Sequence, residues 1–270
     1  MNGKRIVING AASGIAAATM TALQRRGARV VGLDITEQGE LIACDVRDQE
    51  SVDRAVAEAL ERLGGGLDVL INCAGLATPQ SAGQAPDAKA LAVIDVNMLG
   101  PWRMTSAALG ALRSSHGRVV NVASGMAFVA LPFAAAYAMS KHGVVAYSQS
   151  LRLEHGDEIS VTTVYPGYIQ TPIQKDSIEF GLEVSSPEET LESAVDALVR
   201  AALDDPPVRD IVTTRTGRLT VALTRYAPGR FVDRVILRQA RKDLAGRSFD
   251  DPSSPLADFA RRVTGRRGAR

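Results

Sequence analysis

The chain has 270 residues, enough to bury a full hydrophobic core without disulfides or metals. Hydrophobic residues make up 46% and aromatic residues only 4%, so we expect a globular protein with an aliphatic core. The formal net charge is +1, but residues 225–270 hold twelve Lys/Arg against five Asp/Glu, which leaves a mildly acidic body and a basic tail.

The two cysteines, Cys44 and Cys73, lie in different segments of the chain. They predict neither a disulfide framework nor a metal site, and such sparse cysteine usage is typical of the reducing cytosol. The chain enters a strand-like run at Arg5 without the apolar region of a signal peptide. We therefore expect a cytoplasmic protein.

Seven short apolar runs are predicted to be β-strands. Most are nearly continuous in Val, Ile and Leu, which is typical of strands covered on both faces of a sheet. The predicted strands are Arg5–Asn9, Arg29–Asp34, Leu41–Asp45, Leu67–Asn72, Arg118–Ser124, Ser160–Tyr165 and Asp210–Thr213.

Helical patterns lie between these runs, with Gly27 ending the first and Pro187 opening the last. The alternation of strands and helices predicts an α/β fold, a Rossmann-type doubly wound parallel sheet with helices on both faces. The predicted helices cover about residues 14–26, 48–62, 87–113, 135–155 and 187–203.

We expect three parts in the chain: one domain with the sheet over residues 1–215, a helical appendage over 216–247, and a basic, partly disordered tail over 248–270. Residues 119–140 carry no charge and form a stretch long enough to span a bilayer. Polar residues and a proline interrupt this stretch. We therefore interpret it as a buried strand, a loop and the start of a helix.

The first predicted strand runs into the turn Asn9-Gly10-Ala11-Ala12-Ser13-Gly14-Ile15-Ala16, and a helix follows. Glycines let a backbone turn sharply beside a pyrophosphate, and a helix N-terminus offers free N–H groups and a positive dipole. The second predicted strand ends at Asp34, whose carboxylate would accept hydrogen bonds from an adenosine ribose and repel a 2′-phosphate. Together these features predict an NAD site, although alone the turn is often merely a turn and Asp34 merely the polar end of a strand.

Tyr137 and Lys141 lie four residues apart in a predicted helix and so share one face. An ammonium group beside a tyrosine favours the phenolate and lowers the tyrosine pKa, as a general base working near neutral pH requires. Ser124 ends a predicted buried strand, where its hydroxyl would donate to a substrate oxygen. A Tyr-x-x-x-Lys pair on an exposed helix is also common by chance, so the set is informative only in combination.

In this combination the chain resembles the short-chain dehydrogenase/reductase family in its compact single-domain form. The resemblance covers residues 4 to about 205, in the family's order and at its usual intervals. The matching motifs are the glycine-rich turn with Asp34, Asp45-Val46, Asn72-Cys73-Ala74-Gly75, Asn97, the set of Ser124, Tyr137 and Lys141, and Pro166-Gly167-Tyr168-Ile169-Gln170-Thr171. The chain departs from the family at Asn9, where Thr is usual, and at Ala16, where Gly is usual. Asn retains hydrogen bonding in that turn, and the general fingerprint tolerates Ala at its last glycine.

The resemblance implies an NAD(H)-dependent oxidoreductase that interconverts a secondary alcohol and a ketone or aldehyde. By the family's pattern, Tyr137 exchanges a proton with the substrate oxygen, while Lys141 binds the nicotinamide ribose and tunes Tyr137. Ser124 holds and polarises the carbonyl, and Asn97 anchors a water that relays protons from Lys141. Hydride transfer belongs to the cofactor, while the protein supplies orientation and proton transfer.

The same resemblance implies contacts along the whole cofactor. Asp45 and Val46 flank the adenine, residues 72–75 line the adenosine side, and Thr171 meets the nicotinamide carboxamide. The residues expected to contact NAD are Gly10, Ser13, Gly14, Ile15, Asp34, Asp45, Val46, Asn72, Ala74, Gly75, Tyr137, Lys141, Pro166, Gly167, Ile169 and Thr171.

The segment between Ser124 and Tyr137 carries no charge and no side-chain hydrogen-bond donor. In the family such a segment borders the substrate, and the stretch 173–184, with its apolar Ile178, Phe180 and Leu182, would face it. An apolar wall suits an apolar substrate such as a hydroxysteroid, a lipid-like alcohol or an aryl ketone. The same residues would equally serve as core or as a subunit interface. The expected substrate contacts are Ser124, Met126, Tyr137 and Tyr168.

Residues 228–245 have the pattern of a basic amphipathic helix. This helix would either pack on the body with its apolar stripe buried or rest on a membrane surface. Family members are usually dimers or tetramers, so we expect packing, together with a homodimer or homotetramer. No nucleic-acid-binding motif accompanies the basic tail, so no nucleic-acid partner is expected. The apolar stripe consists of Phe231, Val232, Val235, Ile236 and Ala240.

Two other functions share parts of this pattern. A nucleotide-sensing or scaffold protein would keep the fold without turnover, and the intact set of Asn97, Ser124, Tyr137 and Lys141 argues against it. An epimerase or dehydratase would share the Tyr-x-x-x-Lys pair. The short chain and the glycine spacing argue against that reading.

Overall fold

The computed structural model describes residues 3–182, 189–213 and 229–265. Its strands are β1 (Arg5–Asn9), β2 (Arg29–Asp34), β3 (Ile42–Ala43), β4 (Val69–Asn72), β5 (Arg118–Val122), β6 (Ser160–Tyr165) and β7 (Asp210–Val212). They form one parallel sheet in the order β3-β2-β1-β4-β5-β6-β7. This is the doubly wound Rossmann-type sheet that the alternation of strands and helices predicts.

The helices in the described ranges follow most of the predicted patterns. They are α1 (Gly14–Arg25), α2 (Gln49–Arg62), α3 (Ala88–Ile94), α4 (Gly100–Ser114), α5 (Ala135–His155), α6 (Lys175–Glu179), α7 (Leu191–Leu203), α8 (Gly229–Leu244) and α9 (Pro255–Thr264). Among these residues, no helix is long and apolar enough to cross a membrane.

Helices cover both faces of the sheet, which explains the continuous apolar runs. Successive strand residues point to opposite faces. Thus Ile6 and Ile8 pack with residues of α1 and α7, while Val7 packs with residues of α2 and α4. Each of these three strand side chains is at most 1% exposed. Because both faces are buried, the period-two alternation of a half-exposed strand is absent.

The strand order reverses at the centre of the sheet and thereby locates the site. β1 lies between β2 and β4. After β1 the chain adds β2 and β3 outward to one edge of the sheet. It then crosses back over β1 to β4 and adds β5, β6 and β7 outward to the other edge. In open α/β sheets, ligands bind beyond the carboxyl ends of the strands at such a reversal. The segments after β1, β4, β5 and β6, which carry the candidate residues, all lie at this edge.

Two predicted helices differ from those in the structure. The helix predicted over 87–113 is divided by a π-helical turn, Asp95–Leu99. The helix predicted from Pro187 begins at Leu191, because the side chain of Thr190 accepts a hydrogen bond from the backbone N–H of Ser193 and caps the helix there. Pro187 itself lies outside the described residues.

The described part of the C-terminal tail contains a helix. Residues 255–264 form α9, where the Ser254 side chain caps the N-terminus and Pro255 occupies the first turn. The apolar side of α9, including Leu256 and Ala260, packs with Leu244 at the end of α8. Residues 266–270 and the expected domain boundary at 215 lie outside the described ranges.

The apolar stripe of α8 is only partly covered. Val232, Ile236 and Ala240 are partly buried. In contrast, Phe231 is 57% and Val235 50% exposed, so packing on the body does not bury the whole stripe as expected. The reason is rotational: the buried face of α8 centres on the side of Ile236 and Leu244, and Val235 and Phe231 lie roughly 120° and 160° around the helix axis from it.

Candidate active site

The glycine-rich turn after β1 is a backbone cradle. Gly10 has a φ of 77°, and a Cβ there would come within 2.8 Å of the backbone of Ala74, so no larger residue fits. Gly14, with a φ of 57°, opens α1. Ser13 occupies the N-cap position but its side chain makes no capping bond, which leaves the first N–H groups of α1 available. Such a cradle and helix N-terminus suit a pyrophosphate.

Asp34 ends β2 beside this turn. One of its carboxylate oxygens accepts a hydrogen bond from the backbone N–H of Ala12 at 2.9 Å, and the other from that of Thr36 at 3.1 Å. Each oxygen retains a lone pair, so the carboxylate can still accept hydrogen bonds from ribose hydroxyls. The next residue, Ile35, is exposed and uncharged.

Asp45 and Val46 follow β3 but differ in what they present. The Asp45 carboxylate binds the guanidinium of Arg47 through both oxygens, and this contact holds the pKa of Asp45 below its usual range. Val46 is buried against Gly100, where a Cβ would lie 3.0 Å from the valine side chain. Asp45 is therefore occupied by a neighbour, and Val46 offers only an edge of apolar surface.

Asn9 stands where Thr is usual in the family that the chain resembles, and both polar atoms of its side chain form hydrogen bonds. Its side-chain oxygen accepts hydrogen bonds from the backbone N–H groups of Cys73 at 2.9 Å and Ala74 at 2.8 Å. Its amide donates to Asn72 at 2.8 Å, and Asn72 donates in turn to Asn121 at 2.9 Å. The chain of amides thus joins β1, β4 and β5. The Asn72 side chain, 2% exposed, is used in this network, so only its backbone is left to line a cofactor.

Asn97 lies in the π-helical turn between α3 and α4, a type of irregularity that often marks functional sites. Its side-chain oxygen accepts from the N–H of Leu76 at 2.7 Å. Its amide donates to the carbonyl of Leu76 at 2.8 Å and to the hydroxyl of Ser140 at 3.0 Å. Ser140 donates to the carbonyl of Tyr137 at 2.7 Å. Asn97 therefore connects the segment after β4 with the helix that carries Tyr137.

Ser124, Tyr137 and Lys141 converge at the carboxyl end of β5. Tyr137 lies in the first turn of α5, with its hydroxyl near that of Ser124. Lys141, one turn later and 4% exposed, places its Nζ atom 5.6 Å from the centre of the Tyr137 ring. The same Nζ donates to the carbonyl of Val122 at 3.0 Å. A Cβ at Gly75 would lie 3.8 Å from it, so the segment after β4 reaches the same place.

Burial governs the protonation chemistry of this pair. It raises the pKa of Tyr137, and the interaction with Ser124 opposes that rise only in part. Burial also lowers the pKa of Lys141 itself to about 8. The physical reason is shared: both groups are removed from water, which disfavours the phenolate and the ammonium alike.

The turn after β6 is held by a residue that sequence reasoning missed. Glu189 is 6% exposed, and one of its oxygens accepts from the N–H of Gly167 and from the hydroxyl of Thr213, both at 2.6 Å. Its backbone N–H donates to the carbonyl of Tyr168 at 2.8 Å. No local sequence pattern links Glu189 to Gly167, because the two are 22 residues apart and meet only in the fold.

The same turn is connected to the residues around Ser124. The carbonyl of Pro166 accepts from the N–H of Gly125 at 3.0 Å. Ile169 is buried, and Thr171 lies next to the glycine-rich turn, since a Cβ at Gly14 would be 3.8 Å from its Cβ. The turn that carries the residues expected to meet the nicotinamide thus lies between the segment after Ser124 and the glycine-rich turn.

The apolar residues expected near the substrate separate into two groups. Met126 and Tyr168 are partly exposed on the segments beside Ser124. Phe180 and Leu182 instead pack against the C-terminal helices, together with Phe133 from the segment before Tyr137. Val184, at the end of the expected substrate-facing stretch, lies outside the described residues.

Known proteins are similar to this chain in sequence. A family model described as short chain dehydrogenase matches residues 4–180. The chain is 32% identical to the oxidoreductase UcpA of Salmonella typhimurium over 223 residues, 76% of this chain and 84% of that protein. It is 36% identical to mouse retinol dehydrogenase 16 over 185 residues, 63% of this chain and 58% of that protein. It is 34% identical to a putative ketoacyl reductase of Streptomyces coelicolor over 186 residues, 62% of this chain and 71% of that protein.

Solved structures share the fold. A short chain dehydrogenase from Burkholderia cenocepacia in complex with NADP superposes with a TM-score of 0.75 and 27% identity, over 87% of this chain and 98% of that one. A 3-ketoacyl-(acyl-carrier-protein) reductase from Brucella melitensis complexed with NADH superposes with a TM-score of 0.68 and 24% identity, over 80% of this chain and 99% of that one.

Proposed function

The chain belongs to the short-chain dehydrogenase/reductase family, and from this membership we propose that it is an NAD(H)-dependent enzyme interconverting an apolar secondary alcohol and its ketone. That it is an oxidoreductase acting on CH–OH groups follows from the family. The cofactor preference, the substrate and the catalytic roles are our proposal. The observation that carries it is the convergence of Ser124, Tyr137 and Lys141 at the end of β5.

The residues around the glycine-rich turn fit a dinucleotide. Gly10 packs too closely on the backbone of Ala74 for any side chain, which keeps the turn tight, and the N-terminus of α1 has amide groups without a side-chain cap. A nicotinamide cofactor, when bound, supplies or accepts the hydride. The chain then contributes Gly10, Gly14 and the first turn of α1 to the pyrophosphate, Asp34 to the ribose, and Ile169 and Thr171 to the nicotinamide.

The proton is handled by Tyr137. Its hydroxyl, which lies near Ser124, would donate to the ketone oxygen during reduction and accept the proton during oxidation. The Ser124 hydroxyl would hold and polarise the same oxygen. The Lys141 ammonium would bind ribose hydroxyls and favour the phenolate once it turns from the Val122 carbonyl toward the site.

A preference for NAD(H) rests on Asp34. Its carboxylate lies beside the turn, where it would accept from a ribose 2′-hydroxyl and repel a 2′-phosphate. The neighbouring Ser13 and Ile35 supply no positive charge to offset that repulsion. A higher kcat/KM with NADPH than with NADH would contradict this preference.

The substrate class rests on the apolar character of the segment between Ser124 and Tyr137. Screening NAD⁺ reduction against hydroxysteroids, lipid-like secondary alcohols and aryl carbinols, and NADH oxidation against the matching ketones, tests it. Turnover that favours the larger apolar compounds is expected. Tight NADH binding without turnover of any compound would instead indicate the rival function, a nucleotide-binding regulator.

We also propose that the enzyme is a cytoplasmic homodimer or homotetramer. Large apolar side chains are exposed along α4 and α5: Trp102 is 59%, Met139 64% and Leu153 79% exposed. Exposed apolar surface of this kind is typical of subunit interfaces. Light scattering on the purified chain would test the assembly, and a monomer at micromolar concentration would contradict it. The remaining exposed apolar residues of α8 leave membrane-surface contact as the rival role for that helix.

A further inference from the structure

The segment between Ser124 and Tyr137 turns sharply at Phe133. This residue has a φ of 64°, a left-handed conformation that a bulky side chain seldom adopts. The carbonyl of Phe133 accepts a hydrogen bond from the N–H of Gln80 at 2.9 Å, and α5 begins two residues later. The position of Phe133 therefore sets where the first turn of α5, with Tyr137, starts.

The Phe133 side chain, 8% exposed, is held by two aromatic rings from distant parts of the chain. Phe180, directly after α6, lies 5.5 Å away between ring centres. Phe259, on α9, meets the Phe133 ring edge-on at 5.5 Å. We call these three rings the aromatic cluster. Because they bury one another, the unfavourable backbone conformation at Phe133 is stabilised by contacts that only the C-terminal helices complete.

The C-terminal helices also hold the other side of the same region. Arg247, just after α8, donates from its guanidinium to the carbonyl of Gly181 at 2.9 Å. Leu256 of α9 lies so close to Gly181 that a Cβ there would be 3.5 Å from its side chain. The C-terminal region with α8 and α9 thus contacts both segments that border the proposed substrate position, the one before Tyr137 and the one after Thr171.

We propose that the C-terminal pair α8–α9 positions the substrate-bordering segments through the aromatic cluster, with Phe259 as the positioning residue that sets the affinity for an apolar substrate. The expected effect on the ketone KM rests on the proposed function, whereas the expected positioning of the two segments does not. The α8–α9 pair lies outside the residues 4–180 that the family model matches.

The test compares Phe259→Ala and Phe259→Leu with a matched control, Phe231→Ala. Phe231 lies on α8 and is 57% exposed. Hydrogen exchange of the whole chain is measured over residues 126–136 and 175–182, with the sheet strands as reference. NADH affinity, and KM and kcat for the ketone of the panel that turns over fastest, are measured alongside.

Phe259→Ala should speed exchange in both segments and raise the ketone KM about two- to tenfold, the change that loss of an aromatic contact produces. The NADH affinity and kcat should stay within about twofold, and Phe259→Leu should recover part of the loss because it restores apolar bulk. Equal effects of Phe231→Ala, or unchanged exchange over 126–136 in Phe259→Ala, would overturn the proposal. If no ketone is turned over, the proposed function fails, whereas the hydrogen-exchange comparison still decides whether Phe259 positions the two segments.

Discussion

Replacing Glu189 with Ala tests whether a single buried side chain holds the turn that would meet the nicotinamide. The side chain is 6% exposed, and it accepts from the N–H of Gly167 and from the hydroxyl of Thr213. Removing the carboxylate leaves the Gly167 N–H without its acceptor. Thr213 keeps a second acceptor, the carbonyl of Tyr165 at 3.3 Å, so the main loss falls on the turn.

The magnitude follows from that one lost contact. A hydrogen bond to a charged group contributes about 1.5–3 kcal/mol. We therefore expect Glu189→Ala to lower the free energy of unfolding by about 2–3 kcal/mol. For a chain of this length that corresponds to a fall in Tm of roughly 4–12 °C. Glu189→Gln keeps an oxygen acceptor, and since neutral hydrogen bonds are about half as strong, it should lose about 1 kcal/mol.

The assay is denaturant unfolding combined with NADH titration by fluorescence. Glu192→Ala is the matched control, because Glu192 lies in the first turn of α7 and is exposed. Glu189→Ala should weaken NADH binding as well as stability, with Glu189→Gln intermediate and Glu192→Ala close to the wild type. If Glu189→Ala matches Glu192→Ala in both measurements, the carboxylate does not hold the turn.

Three further predictions concern the cofactor edge. Asp34→Ala should narrow the preference for NADH over NADPH, measured as the ratio of kcat/KM values, because the carboxylate that repels a 2′-phosphate is gone; an unchanged ratio would refute its role. Asn9→Ala should destabilise the fold by about 2–5 kcal/mol, since the N–H groups of Cys73 and Ala74 lose their acceptor, and Asn9→Thr should recover more than half in the same unfolding assay. The pKa of Lys141 is lowered from 10.5 to about 8 in the fold, so between those values the unfolded chain binds more protons and stability rises with pH. Lys141→Met should therefore be more stable than the wild type at pH 7 by a margin that shrinks toward pH 10.5, and a constant margin would contradict the shift.

Local patterns predicted the sheet and the backbone cradle well. The Val/Ile/Leu runs were long enough to identify strands buried on both faces, and the strand ends place Gly10, Asp34 and Ser124 at one edge. Tyr137 and Lys141 meet because helix spacing alone brings them to one face. These features depend on neighbours in the sequence or on the topology of the sheet.

Features that depend on distant contacts were not visible in the sequence. Glu189 meets Gly167 only through the packing of α7 beside β6, and no spacing rule connects them. Gly100 and Pro101 directly after the turn at Asn97 mark a break in the helix, but no local pattern shows that the break is a π-helical turn. Helix spacing reveals the ammonium near Tyr137 but not the burial that raises the Tyr137 pKa.

In the C-terminal tail, composition and local pattern point in different directions. Two prolines and a basic end favour partial disorder, whereas Ser254 followed by Pro255 is a helix start. The apolar spacing of Leu256, Phe259 and Ala260 then gives α9 a face that packs on Leu244 and Phe133. In this segment the capping signal was the better guide, since it reflects local hydrogen bonding that composition does not describe.

In the proposed function, Tyr137 transfers the proton in an NAD(H)-dependent interconversion of an alcohol and a ketone. The most direct test is the rate of NADH oxidation with the fastest ketone of the panel, in the wild type and in Tyr137→Phe, with NADH affinity measured for both. The variant keeps the ring but loses the transferable proton, so kcat should fall by about 10²–10⁴-fold while NADH binding is retained. A variant that turns over the ketone at a rate close to the wild type would contradict the account.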